Sequence, residues 1–397
     1  MKGELMSIED VLTPDLLARI RERAPDYDER NVFCSEDLEE LDEAGYLRAL
    51  VPQEHGGLGW ELPQLISAQR ALSAHAPATA LAVNMHHVWV SAARQMVRGG
   101  HEEFLQVLTE AAAGEIFAFG ISEAGNDAVL FDSTTQAQVH DDGAVSFTGT
   151  KIFTTLAPVW TRLGLFGKDV EATGAEGEKP LIFGFLERHA GGWRTIENWD
   201  MLGMRATQSH ATSLEGARVP ADRIVRRLPT GPSQDPLVFA IFSSFLSLLA
   251  AVYTGIGDRA VELAGQHVRA RKAHTTGETM DRDPDIRYKV AEAQLRQLAL
   301  DTQLRGLVQE IEDGAALGSA QGHGPLWFPR LVTLRTTATR TSREVLDLAL
   351  GVGGGAQYHR LSELSRLHRD ALAGIHHPSD DESAHRTLAS SVLGALD

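Results

Sequence analysis

The chain has 397 residues, of which 43% are hydrophobic and 23% charged, and carries a formal net charge of −17 at pH 7. These are globular proportions at a length above one simple core, so two or three subdomains are expected, and disordered or fibrous classes are excluded. The acidic balance argues against nonspecific binding to nucleic acid or anionic lipid, and Cys34, the sole cysteine, excludes an intramolecular disulfide and a thiolate metal cluster.

The first third reads as helical. Ser7 is placed to cap a helix that opens Ile8-Glu-Asp-Val, with acids in its first turn. Apolar residues recur at helical spacing over 36–49. Gly56, Gly57 and Gly59 then predict a loop over 52–59. Three further helices are predicted over 63–73, 78–97 and 102–113. The opening Met1-Lys-Gly-Glu-Leu lacks the basic and apolar regions of a signal peptide, so a cytoplasmic location is expected.

At Glu115 the texture changes. Residues 116–121 (Ile-Phe-Ala-Phe-Gly-Ile) predict a buried strand. Residues 136–140 and 144–148 alternate about Asp141-Asp-Gly143, a hairpin signal. Strands continue over 181–186 and 211–214, and Arg218-Val-Pro-Ala-Asp-Arg-Ile-Val closes the section.

Helical patterns return over 237–271, 285–313, 329–350 and 379–396, and the glycine-rich 313–324 predicts a loop between two of them. Residues 237–257 carry no charge and are long enough to span a bilayer. They hold Ser243, Ser244 and Ser247 and lack basic flanks, which predicts the centre of a helical bundle and no membrane partner. Helices, then strands, then helices make an α+β chain. The expected boundaries are 1–115 (helical), 116–228 (β) and 229–397 (helical bundle).

Several separate stretches keep a common order: Ile121-Ser-Glu-Ala-Gly-Asn-Asp127, Phe147-Thr-Gly-Thr-Lys-Ile-Phe-Thr-Thr155, Leu202-Gly-Met-Arg-Ala-Thr-Gln-Ser209, Gly353-Gly-Gly355 and Arg369-Asp-Ala371. In these the chain resembles the acyl-CoA dehydrogenase superfamily of flavoproteins over nearly its whole length. The resemblance implies a helical domain, a middle β domain and a C-terminal four-helix bundle, with one FAD per subunit between the last two. It also implies a homodimer or homotetramer.

Specific residues follow from that resemblance. Ile121 and Ser122 would lie under the flavin ring, where hydrogen-bond donors tune its potential. Phe153 and Thr155 match residues that contact the ring, and Arg205, Thr207 and Ser209 sit in a loop that borders it. Asn126 matches a position near the pyrophosphate. Arg271 matches an arginine that reaches a neighbouring subunit's FAD, although His274 replaces the phenylalanine usual three residues on. Gly353 and Gly354 match a pair that packs on the partner's adenosine end.

The base is the exception. Thioester dehydrogenation needs a carboxylate to remove the α-proton while hydride leaves to the flavin. Its usual place falls at Pro378, and the alternative place on the long helix falls near Phe245. Three readings stay open: His377 as an imidazole that titrates near neutrality, with His376 structural and pointing elsewhere; Asp380, Asp381 or Glu382 through a shifted loop; or a reaction without α-proton removal. The leading expectation is α,β-dehydrogenation of an acyl thioester, with the electron acceptor open. The alternatives are a flavin-dependent monooxygenase of the same fold acting on a small molecule, and a subunit that keeps the fold without catalysis. No metal site is expected, since adjacent histidines such as His86 and His87 diverge by about 100° on a helix.

Overall fold

A computed structural model describes residues 6–172, 179–316 and 326–394. Its first α-helices are α1 (Ile8–Val11), α2 (Pro14–Arg30), α3 (Ser35–Glu43), α4 (Leu62–Ser73), α5 (Pro77–Arg98) and α6 (Leu105–Ala112). The Ser7 cap forms as expected: its hydroxyl accepts from the Asp10 backbone, and the Asp10 carboxylate accepts from the Ser7 backbone. Helix α2 was not anticipated. Its interior Pro25 removes one hydrogen bond, but Leu16, Leu17, Ile20, Ala24 and Tyr27 are buried along one face and hold it in place. The helical spacing expected up to residue 49 instead ends at Glu43, and Gly45 at φ 79° turns the chain into a 3₁₀ turn, Tyr46–Arg48.

The middle of the chain builds one sheet from β1 (Phe117–Gly120), β2 (Gln136–Val139), β3 (Val145–Lys151), β4 (Arg162–Asp169), β5 (Leu181–Glu187), β6 (Trp193–Ile196), β7 (Ala211–Val219) and β8 (Ile224–Leu228). The path runs β6-β7-β3-β2-β4-β5-β8, with β1 parallel beside β4. The predicted hairpin joins β2 and β3, with Val139 opposite Val145. The sequence reading missed β4, because glycines weaken a strand pattern. They have a packing reason here: a Cβ on Gly164 would lie 2.2 Å from the Trp89 indole. The Trp89 Nε1–H in turn donates to the Ala118 carbonyl at 3.0 Å, seating α5 on the sheet.

Five α-helices follow among the described residues: α7 (Pro236–Ala270), α8 (Pro284–Ala316), α9 (Trp327–Gly353), α10 (Glu363–Leu372) and α11 (Asp381–Leu393). The uncharged stretch of α7 is almost wholly buried, packed by α4, α5, α8 and α9, and is the core helix of this protein. Helix α8 continues to Ala316, so the first part of the expected glycine-rich loop is helical; residues 317–324 lie outside the described residues. Together these parts form the helix–sheet–helix α+β fold expected from the sequence.

Candidate active site

Residues 199–209 and 369–378 lie far apart in sequence yet form one wall. Gly203 packs on the backbone of α10: a Cβ there would lie 2.2 Å from the Arg369 carbonyl oxygen. The buried Asp370 carboxylate accepts the Met204 backbone N–H at 2.6 Å, and burial pushes its pKa up to about 6. The Arg369 guanidinium pairs with Asp28 of α2. Behind this wall, the fully buried Arg335 of α9 donates to the carbonyls of Gly374 and His377, each at 2.6 Å. The 3₁₀ turn Ala373–Ile375 and the histidines after it are thereby fixed from within.

Two cavities meet here. The first, of about 280 Å³, is bounded by Leu81 and Met85 of α5, Phe119 of β1, Phe245 of α7 and the Trp199–Met204 loop. The second, of about 290 Å³, lies between residues 122–131, Phe242 of α7, Phe328 of α9 and the start of α11. Ser122, Phe153, His376, His377 and Pro378 line both.

The residues expected at a flavin fall into two groups. Ser122 and Phe153 stand on the shared wall, Thr155 lines the first cavity and Asn126 the second. Phe153 sits at φ 55° with 46% of its surface exposed, an unusual backbone for an aromatic residue. The Thr155 hydroxyl lies 2.7 Å from that of Ser209, which lies 2.8 Å from that of Thr207. Asn126 is occupied locally, its amide donating to Glu123 and to the Asp132 carbonyl. Ile121 is buried beneath and lines neither cavity; Arg205 also lines neither, its guanidinium bonding Asp200 and the Asp28 carbonyl. Arg271, Gly353 and Gly354 form the second group, away from both cavities. There the Arg271 guanidinium donates to the Val352 carbonyl at 3.0 Å and covers Gly354, where a Cβ would lie 2.5 Å from it.

The loop that carries Ser122 is held by charge. Glu123 accepts from the fully buried Lys151 at 2.7 Å, and from Ser133, Thr134 and Thr135. Burial opposes its charge, but Lys151 and these hydroxyls prevail and hold it well below the usual carboxylate range. Burial lowers Lys151 to about 8.

The histidines differ from expectation in two ways. His376 does not point elsewhere: it is exposed, lines both cavities, and makes no side-chain hydrogen bond among the described residues. The segment runs between the cavities, so both residues line them. His377 does not titrate near neutrality. Burial, with the Arg335 cation nearby, lowers it to about 3, and its Nε2 lies 2.8 Å from the Tyr253 hydroxyl. Tyr253 is buried on α7 and its own pKa is raised by burial, so the pair is neutral and only Nδ1 of His377 is left for a ligand.

Comparison with known proteins accounts for the architecture. The profile of the acyl-CoA dehydrogenase N-terminal domain matches residues 16–115, and that of the acyl-CoA dehydrogenase C-terminal domain matches residues 247–381. The chain belongs to the acyl-CoA dehydrogenase family. Within the family it is similar to YdbM of Bacillus subtilis (strain 168), by name a candidate acyl-CoA dehydrogenase, at 24% identity over 94% of this chain and 93% of that protein. It is also similar to L-evernosamine nitrososynthase of a Micromonospora species, at 28% identity over 91% of this chain and 84% of that one. The solved structure of KijD3 with FMN and a dTDP-linked amino sugar superimposes with a TM-score of 0.86 at 22% identity, covering 98% of this chain and 94% of that one. The chain is accordingly a flavin-dependent oxidoreductase of the acyl-CoA dehydrogenase family.

Against that family background the acids of the site are informative. Among the described residues, no Asp or Glu lines the first cavity. Phe245, at one expected place for a base, stacks on Phe119 with ring centroids 5.3 Å apart. The second cavity has Glu123, Asp127 and Asp380. Glu123 is tied to Lys151, and Asp127 is exposed near Arg386. Asp380 caps α11 by accepting the Ser383 backbone N–H, which lowers its pKa. Asp381 faces Arg335 and Arg340, and Glu382 is exposed and lines neither cavity.

His86 and His87 belong to the helical core. His86 accepts the Phe117 backbone N–H on Nδ1 and meets the Leu47 carbonyl at Nε2, and burial lowers both histidines. No group of three His, Cys, Asp or Glu is placed to share a metal ion among the described residues. Sequence reasoning missed Tyr253 and Arg335. A signal for the first existed: a tyrosine hydroxyl within an uncharged helix must find a partner when buried.

Proposed function

We propose that this protein is a flavin-dependent monooxygenase acting on a small molecule, and not a thioester dehydrogenase. The observation that carries this is the first cavity: no carboxylate lines it among the described residues, and His377 on its wall is held neutral with a pKa of about 3. A ring so weakly basic is a poor acceptor for a carbon-bound proton. It is well suited to hold a hydrogen bond through Nδ1, with Tyr253 fixing the other nitrogen.

The shared wall fits a flavin. Ser122, Thr155 and Ser209 present hydroxyls, and Phe153 presents an exposed ring, which together suit a flat heteroaromatic system with a polar edge. Bound in reduced form, the flavin would supply the two electrons with which one atom of dioxygen leaves as water while the other passes to the substrate. The chain's own work is to seat the substrate among Leu81, Met85, Phe119 and Phe245, exclude water, and hold a proton between Tyr253 and His377. The wall lies within one chain, which favours FMN. FAD gains an added hold only if a second copy brings its Arg271, Gly353 and Gly354 to the adenosine end.

The test is oxygen incorporation. Protein supplied with FMN, a flavin reductase, NADH and ¹⁸O₂ should transfer one labelled atom to a member of a panel of uncharged aromatic compounds. Reductase-driven turnover with no labelled product from any compound, together with flavin reduction by an acyl thioester, would reverse the assignment.

A further inference from the structure

We infer that the first cavity takes a compact, uncharged, largely apolar ring compound without a phosphate or nucleotide handle. This rests on the monooxygenase reading for the ligand's fate, but its binding can be read separately.

Four side chains carry the argument. Leu81 and Met85 stand one turn apart on the same face of α5. Opposite them Phe119 and Phe245 stack at an interplanar angle of 14°. An aromatic ligand gains both area burial and edge or offset contacts from such a wall. The volume, about 280 Å³, accommodates a ring system of one to three rings.

Charge points the same way. Among the described residues, Arg369 is the only lining residue with a permanent charge, and its guanidinium is already engaged by Asp28 and by the Arg360 carbonyl. An anion entering here would lose water without meeting a free cation, which is unfavourable in an apolar site. The two histidines can instead bond a single neutral polar group, such as a phenol.

The test uses FMN-loaded protein in air without reductant and isothermal titration calorimetry with four probes: 2-naphthol, 2-naphthoate, dTDP and coenzyme A. Naphthol should bind at least about tenfold more tightly than naphthoate, which differs in carrying a charge, and neither dTDP nor coenzyme A should exceed naphthoate. Met85→Trp should weaken naphthol about tenfold or more with flavin content unchanged; Leu81→Phe, a smaller addition, serves the same test if the first variant does not fold. Naphthoate, dTDP or coenzyme A binding as tightly as naphthol would overturn the inference, as would naphthol binding unchanged in the filled variants. Naphthol that binds but never acquires oxygen would overturn only the monooxygenase reading. Oxygen transfer confined to phosphorylated compounds would overturn only this inference.

Discussion

The loop that carries Ser122 and the turn that carries His377 face the same cavities, yet they are held by opposite means. The loop hangs on a buried ion pair, Glu123 with Lys151, surrounded by three hydroxyls. The turn hangs on a neutral Tyr253–His377 contact and on Arg335, which grips only carbonyls at its nearest contacts. Acidic groups near the site therefore serve the scaffold, and the apolar cavity meets neutral groups and one already-paired arginine. A site that must remove a carbon-bound proton needs the reverse arrangement, with an unpaired carboxylate facing the substrate.

That contrast can be broken from either side. The largest effect is expected at the ion pair: Glu123→Ala leaves Lys151 buried and uncompensated, and should cost about 3–5 kcal/mol of stability in urea unfolding. His377→Ala should leave the fold and flavin content intact while reducing oxygen transfer at least about a hundredfold. A histidine with only a structural role would leave turnover per flavin unchanged. Arg271→Ala should lower FAD affinity about ten- to a hundredfold through the lost charged contact, and leave FMN affinity unchanged, as followed by fluorescence titration. Equal loss for both flavins would show that Arg271 acts within its own chain.

Two smaller effects sharpen the neutral side. His377 is lowered to about 3 in the folded protein, so between pH 6.5 and 3 the unfolded chain takes up a proton that the folded one does not. The histidine's contribution is intact above pH 6.5 and declines as pH falls. The stability gap between the parent and His377→Gln should thus move in favour of the variant from pH 7.5 to 5, by up to about 2 kcal/mol. Tyr253→Phe removes one buried hydrogen bond, about 1 kcal/mol of stability. It should slow oxygen transfer about tenfold by freeing the His377 ring, with substrate affinity little changed.

Much of this was legible in the sequence. The long helices, the Asp141-Asp-Gly143 hairpin and the absence of acid at Phe245 and Pro378 all follow from local pattern. Ser122, Phe153 and Thr155, brought together beforehand only by the family resemblance, do line one cavity. Strand β4 was not, because its glycines serve Trp89 and Phe147, partners that no local pattern reveals. The Tyr253–His377 contact bridges 124 residues and depends on the rotation of α7 about its axis. The placement of His376 on the cavity wall follows a turn that Arg335 fixes through the Gly374 and His377 carbonyls. Pairings of this kind are set by packing between elements, which periodicity alone does not encode.

The central claim is that no group in this site removes an α-proton. The most direct test is the visible spectrum of the oxidised, flavin-loaded protein under strict anaerobiosis as saturated acyl-CoA thioesters of increasing chain length are added. The flavin bands should keep their intensity with every thioester, and bleach only when a flavin reductase and NADH are supplied. Stoichiometric bleaching by a thioester alone would contradict the account, and would place a base in the cavity that these residues do not provide.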